Sequence, residues 1–336
     1  MKFGLVLAGQ YFRDAPAEAR VREMLEQVRL ARDLGFDSVW MVHHYLIDFL
    51  AFQPVPMLGR VAAEAGEMAI GTAIYVLPLQ HPVEVAENFA TLDVLSGGRL
   101  IFGVAQGYRE EEFRAMGISR KERAARFEEG VALVSRLWTE DGVDFRGRYY
   151  QVEKATLAMK PARRPRPPIW IGATVEAGIA RAAGLGDAWM IGPGVEFGKL
   201  RPQLAVYRDA LRTLGKSAER EYPIFREVLV APTDAEARHA AREYLHAKYE
   251  AYFQWGYVRT TFEEVVRDAF IVGDPAGCIR QIQRYRDELG ITHLLARVQW
   301  PGTPQAVALR GIRLLGGEVL PSFRASGPGP LASRAN

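Results

Sequence analysis

The sequence predicts an α/β fold, a (β/α)8 TIM barrel with an inserted hairpin and an extra loop and helix before the last strand, and three observations carry that prediction. Short, nearly continuous apolar runs such as KFGLVLA, RLIFGVA and ITHLLARVQW alternate with longer segments whose apolar residues recur at helical spacing. Eight such strand-helix units fit into 336 residues, and strands that are apolar on both faces suit a parallel sheet covered by helices. No G-x-G-x-x-G turn follows the first strand, where LAGQYF stands instead, which disfavours an open dinucleotide-binding sheet.

The first unit pairs KFGLVLA with AEARVREMLEQVRLARDLGF, whose Val21, Leu25, Val28 and Leu34 share a stripe. SVWMVH and PMLGRVAAEAGE form the second. MAIGTAIYVLP and PVEVAENFATLDVLSGG form the third, where Pro82 suits a first helical turn and Gly97 a helix end. RLIFGVA leads through a loop, QGYREEEFRAMGI, to KERAARFEEGVALVSRLWTE, with Phe127, Val131, Val134 and Leu137 on one face. The polar, aromatic stretch from Val143 to Met159 reads as the inserted hairpin. PPIWIGAT with EAGIARAAGLG, DAWMIG with FGKLRPQLAVYRDALRTLG, and YPIFREVLVA with DAEARHAAREYLHAKYEAY continue the alternation. An extra loop and helix, Phe253 to Leu289, precede the eighth unit, ITHLLARVQW with TPQAVALRGIRLLGGEVLP. Residues 1–321 are expected to form one domain, and PSFRASGPGPLASRAN, rich in Pro, Gly and Ser, a disordered tail over 322–336.

A composition of 49% hydrophobic and 25% charged residues fits a globular protein, and 43 Lys and Arg against 40 Asp and Glu call for neither a nucleic-acid nor a membrane partner. The basic stretch KPARRPRPP, Lys160 to Pro168, reads as a proline-stiffened, solvated connector rather than an anion contact, since no aromatic residue interleaves it. Cys278 is the only cysteine, so no intrachain disulfide forms, and with no His near it in sequence it reads as a small buried apolar residue. MKFGLVLAGQ is too short an apolar run for a signal-peptide core or a spanning helix, so a cytoplasmic location is expected.

In a barrel of this kind the site is built from the loops after the strands. VWMVHHYLIDF places His43 and His44 at the end of the second strand, and a strand turns successive side chains to opposite faces, so the two imidazoles share a task only if the strand has already ended. The other strand ends are mostly apolar and aromatic, without carboxylates and histidines at metal-ligand spacing, so no metal is expected. An apolar mouth with imidazoles suits an organic cofactor. GATVEAG, Gly172 to Gly178, passes from strand into helix and offers either a phosphate site at the helix N-terminus or an ordinary N-cap by Thr174.

These residues also carry a family likeness. GFDSVWMVHHY, GTAIYVLPLQHPVEVAENFATLDVLSGGRLIFGVAQGY and GITHLLARVQWPG resemble the luciferase-like flavin-dependent monooxygenases, and the likeness runs from Met1 to about Pro321. It implies a (β/α)8 barrel, homodimeric, that uses reduced FMN from a separate flavin reductase and dioxygen, through a flavin hydroperoxide, to oxidise an apolar small organic substrate. By the same resemblance His43 is the catalytic histidine with His44 beside it, and a non-proline cis peptide falls at Ala73-Ile74 beneath the flavin. Ala105 and Gln106 fall where luciferase has a cysteine and a phosphate-binding arginine, and further cofactor contacts map onto Thr174, Val175 and Gly178, with Arg123 or Arg126 as the basic partner. Val42 stands where an acidic residue commonly precedes the pair, which leaves open what orients His43. As general acid or base, His43 would have a pKa set near neutrality by its surroundings.

The remaining histidines read as structural or solvated. His81 precedes the helix-starting Pro82, His239 and His246 lie on a surface helix, and His293 stands early in the last strand, at the end of the barrel remote from the site. The segment Tyr249 to Pro275 is where the resemblance implies a mobile lid, and its Tyr252, Phe253, Trp255 and Tyr257 serve equally as shield or as core. Two alternatives stand beside the monooxygenase: a deazaflavin-dependent hydride-transfer enzyme of the same superfamily, and a non-catalytic flavin-binding accessory subunit.

Overall fold

The computed structural model describes residues 1–254 and 261–324, apart from the side chains at 247, 251 and 252. Eight parallel strands form the barrel: β1 Lys2–Val6, β2 Ser38–Met41, β3 Ala69–Thr72, β4 Leu100–Ala105, β5 Ile169–Gly172, β6 Ala188–Met190, β7 Pro223–Val230 and β8 His293–Arg297. The hydrogen-bonded order runs β6-β5-β4-β3-β2-β1-β8-β7. A parallel bridge between Ile191 and Ile224 joins the two ends, with Phe225 N–H donating to the Ile191 carbonyl at 2.9 Å. The expected (β/α)8 barrel is therefore the observed one.

Around the strands lie α1 Ala17–Asp33, α2 Pro54–Ala62, α3 Pro82–Leu95, α4 Arg123–Thr139, α5 Glu176–Leu185, α6 Phe197–Thr213, α7 Asp234–Gln254 and α8 Gln305–Leu314. Local sequence sets their ends. The His81 ring accepts from Val83 N–H ahead of Pro82 at the start of α3, and Gly97 takes a left-handed φ of 63° just past its end. Among the described residues no helix is long and apolar enough to cross a membrane.

The barrel interior is filled near its base by Trp40 and Trp170, stacked with centroids 5.1 Å apart. Gly71 makes room for them, since a Cβ there would stand 2.5 Å from the Trp40 ring. The Trp40 indole donates to Ser38 Oγ at 2.7 Å, and that hydroxyl meets His293 Nε2 at 2.8 Å. His293 is thus a buried structural residue, as its position in the sequence predicts.

Several elements differ in detail from expectation. The expected hairpin forms from Val143–Arg146 and Gln151–Ala155, and Glu129 of α4 accepts the backbone N–H groups of Arg148 and Tyr149 in its turn, both at 2.9 Å. The loop after β4 contains a short helix, Glu110–Ala115, whose first turn holds three glutamates, a charge placement that favours helix initiation. Among the described residues, the extra segment before β8 holds two helices rather than one, Phe262–Ala269 and Pro275–Leu289, separated by a strand Ile271–Gly273 that adds to the far end of β7. Regular structure runs beyond residue 321: a 3-10 turn spans Leu320–Phe323, Phe323 packs on Phe3 at 5.4 Å, and Arg324 pairs with Asp37. The rest of the expected tail, 325–336, lies outside the described residues, as do Trp255, Tyr257 and the Tyr252 side chain of the expected lid.

The basic connector is held by acidic partners of the barrel, with Arg166 on Asp187 at 2.6 Å and Arg163 N–H on Asp93. Cys278 is buried in the first turn of Pro275–Leu289, and burial pushes its thiol up to about 12, which suits packing rather than nucleophilic chemistry.

Candidate functional site

A cavity of about 540 Å³ opens at the C-terminal ends of the barrel strands. Of the residues expected from sequence, His43, His44, Ala73, Ile74, Ala105, Gln106, Arg123, Thr174 and Val175 all line it. Arg126 and Gly178 do not. Arg126 turns instead to Glu122 at 2.9 Å and to the Tyr149 ring at 4.5 Å. The Gly178 amide is spent on the Val175 carbonyl at 2.9 Å, so it has no proton to give a phosphate. Nor does Thr174 cap the helix, since Val175 is the N-cap of α5 and makes no side-chain bond. The first-turn amides of Glu176 and Ala177 have no intrahelical acceptor, as at any helix start, and beside that helix start Thr174 and Arg123 form the basic corner of the cavity.

The histidine question resolves through where β2 stops. The strand ends at Met41, so His43 and His44 lie on an irregular turn and both reach the cavity. Past β3 the chain passes through a cis peptide at Ala73-Ile74 and pairs again at Tyr75–Val76 with the end of β4. That second short strand supports His43: Val76 N–H donates to its Nδ1 at 3.1 Å, and the Tyr75 ring stacks on it at 4.3 Å and 17°. Tyr45 closes the other side edge-on at 4.5 Å. An Nδ1 that accepts a hydrogen bond leaves the ring proton on Nε2, and Nε2 is buried without a hydrogen-bond partner.

Burial, with His44 adding to it, lowers the His43 pKa to about 3, against weaker opposition from Glu112 and Gln53. The expectation of a pKa near neutrality is therefore corrected, because the ring is enclosed between two tyrosines where an imidazolium would lose its hydration. His43 is a neutral imidazole that carries its proton on Nε2.

His44 is differently placed. Its Nδ1 lies 2.9 Å from Glu112 Oε1, which also accepts from the Tyr45 N–H at 3.0 Å. Arg109 approaches the same oxygen at 3.4 Å and donates to the Tyr45 carbonyl at 3.0 Å. Burial works to raise the Glu112 carboxyl, but the His44 bond and charge, the Tyr45 amide and Arg109 outweigh it and hold it below the usual range. An ionised carboxylate on Nδ1 holds the His44 N–H there and leaves Nε2 as the ring's acceptor atom. Glu112, on the short helix after β4, thus supplies the acidic partner whose usual place before the pair is taken by Val42, although it serves His44 rather than His43. Sequence reasoning missed it; the run of acids in REEEF was its one local signal.

The arrangement offers three things: a proton donor at His43 Nε2, a carboxylate-backed imidazole at His44, and a basic corner between β4 and β5. The wall between them is apolar, from Val42, Val76, Met190 and Phe225. Glu112 Oε2, like His43 Nε2, is buried without a partner, and polar atoms of that kind normally find one, so the cavity has the character of a ligand site.

A family model described as luciferase-like monooxygenase matches residues 1–293. The F420-dependent glucose-6-phosphate dehydrogenase of Amycolatopsis mediterranei is 29% identical, over 91% of this chain and 96% of its own. The oxygenase component of a flavin-dependent trigonelline monooxygenase from Acinetobacter baylyi is 29% identical over 52% of this chain and 49% of its own. The chain spans about half the length of that relative and likewise of an uncharacterised protein of Sinorhizobium fredii, 51% of which is matched. Among solved structures, the monooxygenase RslO1 from Streptomyces bottropensis superposes with a TM-score of 0.89 at 28% identity, covering 96% of this chain and 100% of that one.

Proposed function

The chain belongs to the luciferase-like monooxygenase family and is an oxidoreductase, and from that premise we propose that it uses reduced FMN, received from a separate flavin reductase, and dioxygen to oxidise a small organic substrate. The observation that carries the reading is the pair of unlike imidazoles on one cavity, His43 held neutral as a donor and His44 backed by Glu112 as an acceptor. Oxygen transfer calls for both, a donor to oxygen as negative charge develops on it and an acceptor for the proton released from the substrate.

The residues present fit the cofactor. A single phosphate suits the corner made by Arg123, Thr174 and the first amides of α5, and Arg120 beside it is already paired with Glu110. Ala73, Ile74 and Ala105 offer small apolar contacts for a planar ring, and Gly172 keeps them open, since a Cβ there would stand 3.2 Å from Ile74. Reduced FMN, when bound there, would supply the two electrons that activate dioxygen and be oxidised in turn. His43 keeps a proton on Nε2, His44 takes one at its ring, and the apolar wall excludes water from both.

A second reading is favoured by the Amycolatopsis relative, matched over almost its whole length: hydride transfer with a deazaflavin, without oxygen. The test is an anaerobic titration of the purified chain with reduced FMN and with reduced deazaflavin, followed by oxygen admission with the absorption spectrum recorded. Tight FMN binding with reoxidation slower than that of free reduced FMN is the expected result. Binding of the deazaflavin alone would replace the monooxygenase reading with the dehydrogenase.

A further inference from the structure

A thioether is soft and polarizable and takes up one oxygen atom to become a sulfoxide, so a methionine on an oxidising cavity is exposed to that cavity's own chemistry. The chain has eight methionines. Met116 and Met159 are the most exposed, at 37% and 39%, whereas Met24, Met41, Met57, Met68 and Met190 are buried. Among the described residues that line the cavity, Met190 is the one with a thioether.

Met190 ends β6 and stands in register with Gly172 of β5. Gly172 faces Ile74 and Ala105, since a Cβ on it would lie 3.2 Å from the one and 3.5 Å from the other. Those two residues belong to the small apolar bed that suits a planar ring. From β6 the Met190 side chain crosses to β4, where its terminal methyl would stand 3.2 Å from a Cβ on Gly103. The sulfur is bonded to that methyl and so lies in the floor between β4 and β6, in one apolar cluster with Val42, Ala73 and Phe225. At 2% exposure, Met190 is reached from the cavity rather than from solvent.

We propose that Met190 is a site of self-modification: when reduced FMN and dioxygen react in this cavity with no substrate present, one oxygen atom passes to the Met190 sulfur and forms the sulfoxide. The inference rests on reading the cavity as an FMN-dependent oxygenase site. Atoms and electrons balance. The sulfur gives up two electrons and gains one oxygen atom, reduced FMN gives up two electrons and two protons, and the second oxygen atom leaves as water. The sulfoxide then sets a polar, chiral group in an apolar floor. A chain that cycles without substrate therefore damages the wall its substrate would lie against.

The test is peptide mass spectrometry of the full chain after repeated cycles of anaerobic loading with reduced FMN and admission of oxygen, with catalase present to remove peroxide from solution. Fragmentation locates each added oxygen atom and separates Met190 from the adjacent Trp189. Met190 is expected to be oxidised about tenfold more than Met116, Met159 or Met41, the last being equally buried but outside the cavity lining. Hydrogen peroxide added to the folded chain without FMN should reverse the order, with Met116 and Met159 ahead of Met190. An unmodified Met190, one oxidised no more than Met41, or the same order under both treatments would each overturn the inference. Tight binding of reduced FMN with Met190 unmodified would remove this inference alone, whereas a chain that does not bind reduced FMN would remove the cofactor reading and this inference with it.

Discussion

His43 and His44 are neighbours in sequence and opposites in chemistry. His43 is an N–H donor because the Val76 amide occupies its Nδ1 and two tyrosines keep water from it. Its replacement by Ala removes the donor without touching the basic corner at Arg123, so reduced FMN should bind within about threefold of wild type while oxygen-dependent turnover falls by about 10²-fold or more. Turnover that stays at the wild-type level would remove His43 from the reaction. Glu112→Gln keeps the shape of the carboxylate and discards its charge. The His44 Nδ1–H then loses the carboxylate that holds it, and turnover should drop by about 10²-fold with the cofactor affinity again preserved. A change in affinity without a change in turnover would mean that Glu112 only orders the Tyr45 loop, whose backbone it also holds.

At the level of elements, the site depends on how closely β3 and β4 approach. Thr72 Oγ1 donates to the Gly103 carbonyl at 2.6 Å, and a Cβ on Gly103 would lie 1.8 Å from the Thr72 carbonyl oxygen. No rotamer relieves a clash between two backbones. Gly103→Ala must therefore separate the strands just before Ala73-Ile74 and the Val76 amide, and a loss of about 3 kcal/mol in denaturant unfolding is expected, together with weakened FMN binding. An unchanged midpoint would show that the two strands tolerate displacement there. The approach of β3 to β4 was not legible as a distance, although each run carries one glycine, Gly71 in GTAIYVLP and Gly103 in LIFGVA, where a strand lets a neighbour come close. The helix Glu110–Ala115 escaped the pattern reading for a different reason: six residues are too few to show a helical period.

The whole barrel buries histidines at both of its ends, and this sets its response to acid. Burial brings His43 to about 3 and His293 to about 4, both below the unfolded value of 6.5. The folded chain therefore refuses protons that the unfolded chain accepts. Their contribution to stability is complete above about pH 6.5 and is lost as pH falls toward the folded values, by up to about 1.4 kcal/mol per pH unit for each histidine. Between pH 7 and 5, above the range where most carboxylates titrate, stability in urea should decline, and His293→Asn should flatten that decline. A decline of the same slope in the variant would assign it to other groups.

The sequence by itself determined the eight strand-helix units, the inserted hairpin, the family likeness and the position of the histidine pair, because periodicity, caps and strand ends are local and leave their marks within a few residues. The tertiary structure decided how the barrel closes through Ile191 and Ile224, and that Arg126 and Gly178 stand off the cavity while Arg123 and Thr174 line it. It also decided which imidazole meets a carboxylate and which a backbone N–H. Glu112 reaches His44 across 68 residues, and Glu227 reaches Arg297 across 70. Electrostatic partners of that kind are chosen by which loops and strands the closed barrel sets side by side, and a linear sequence carries no record of that proximity.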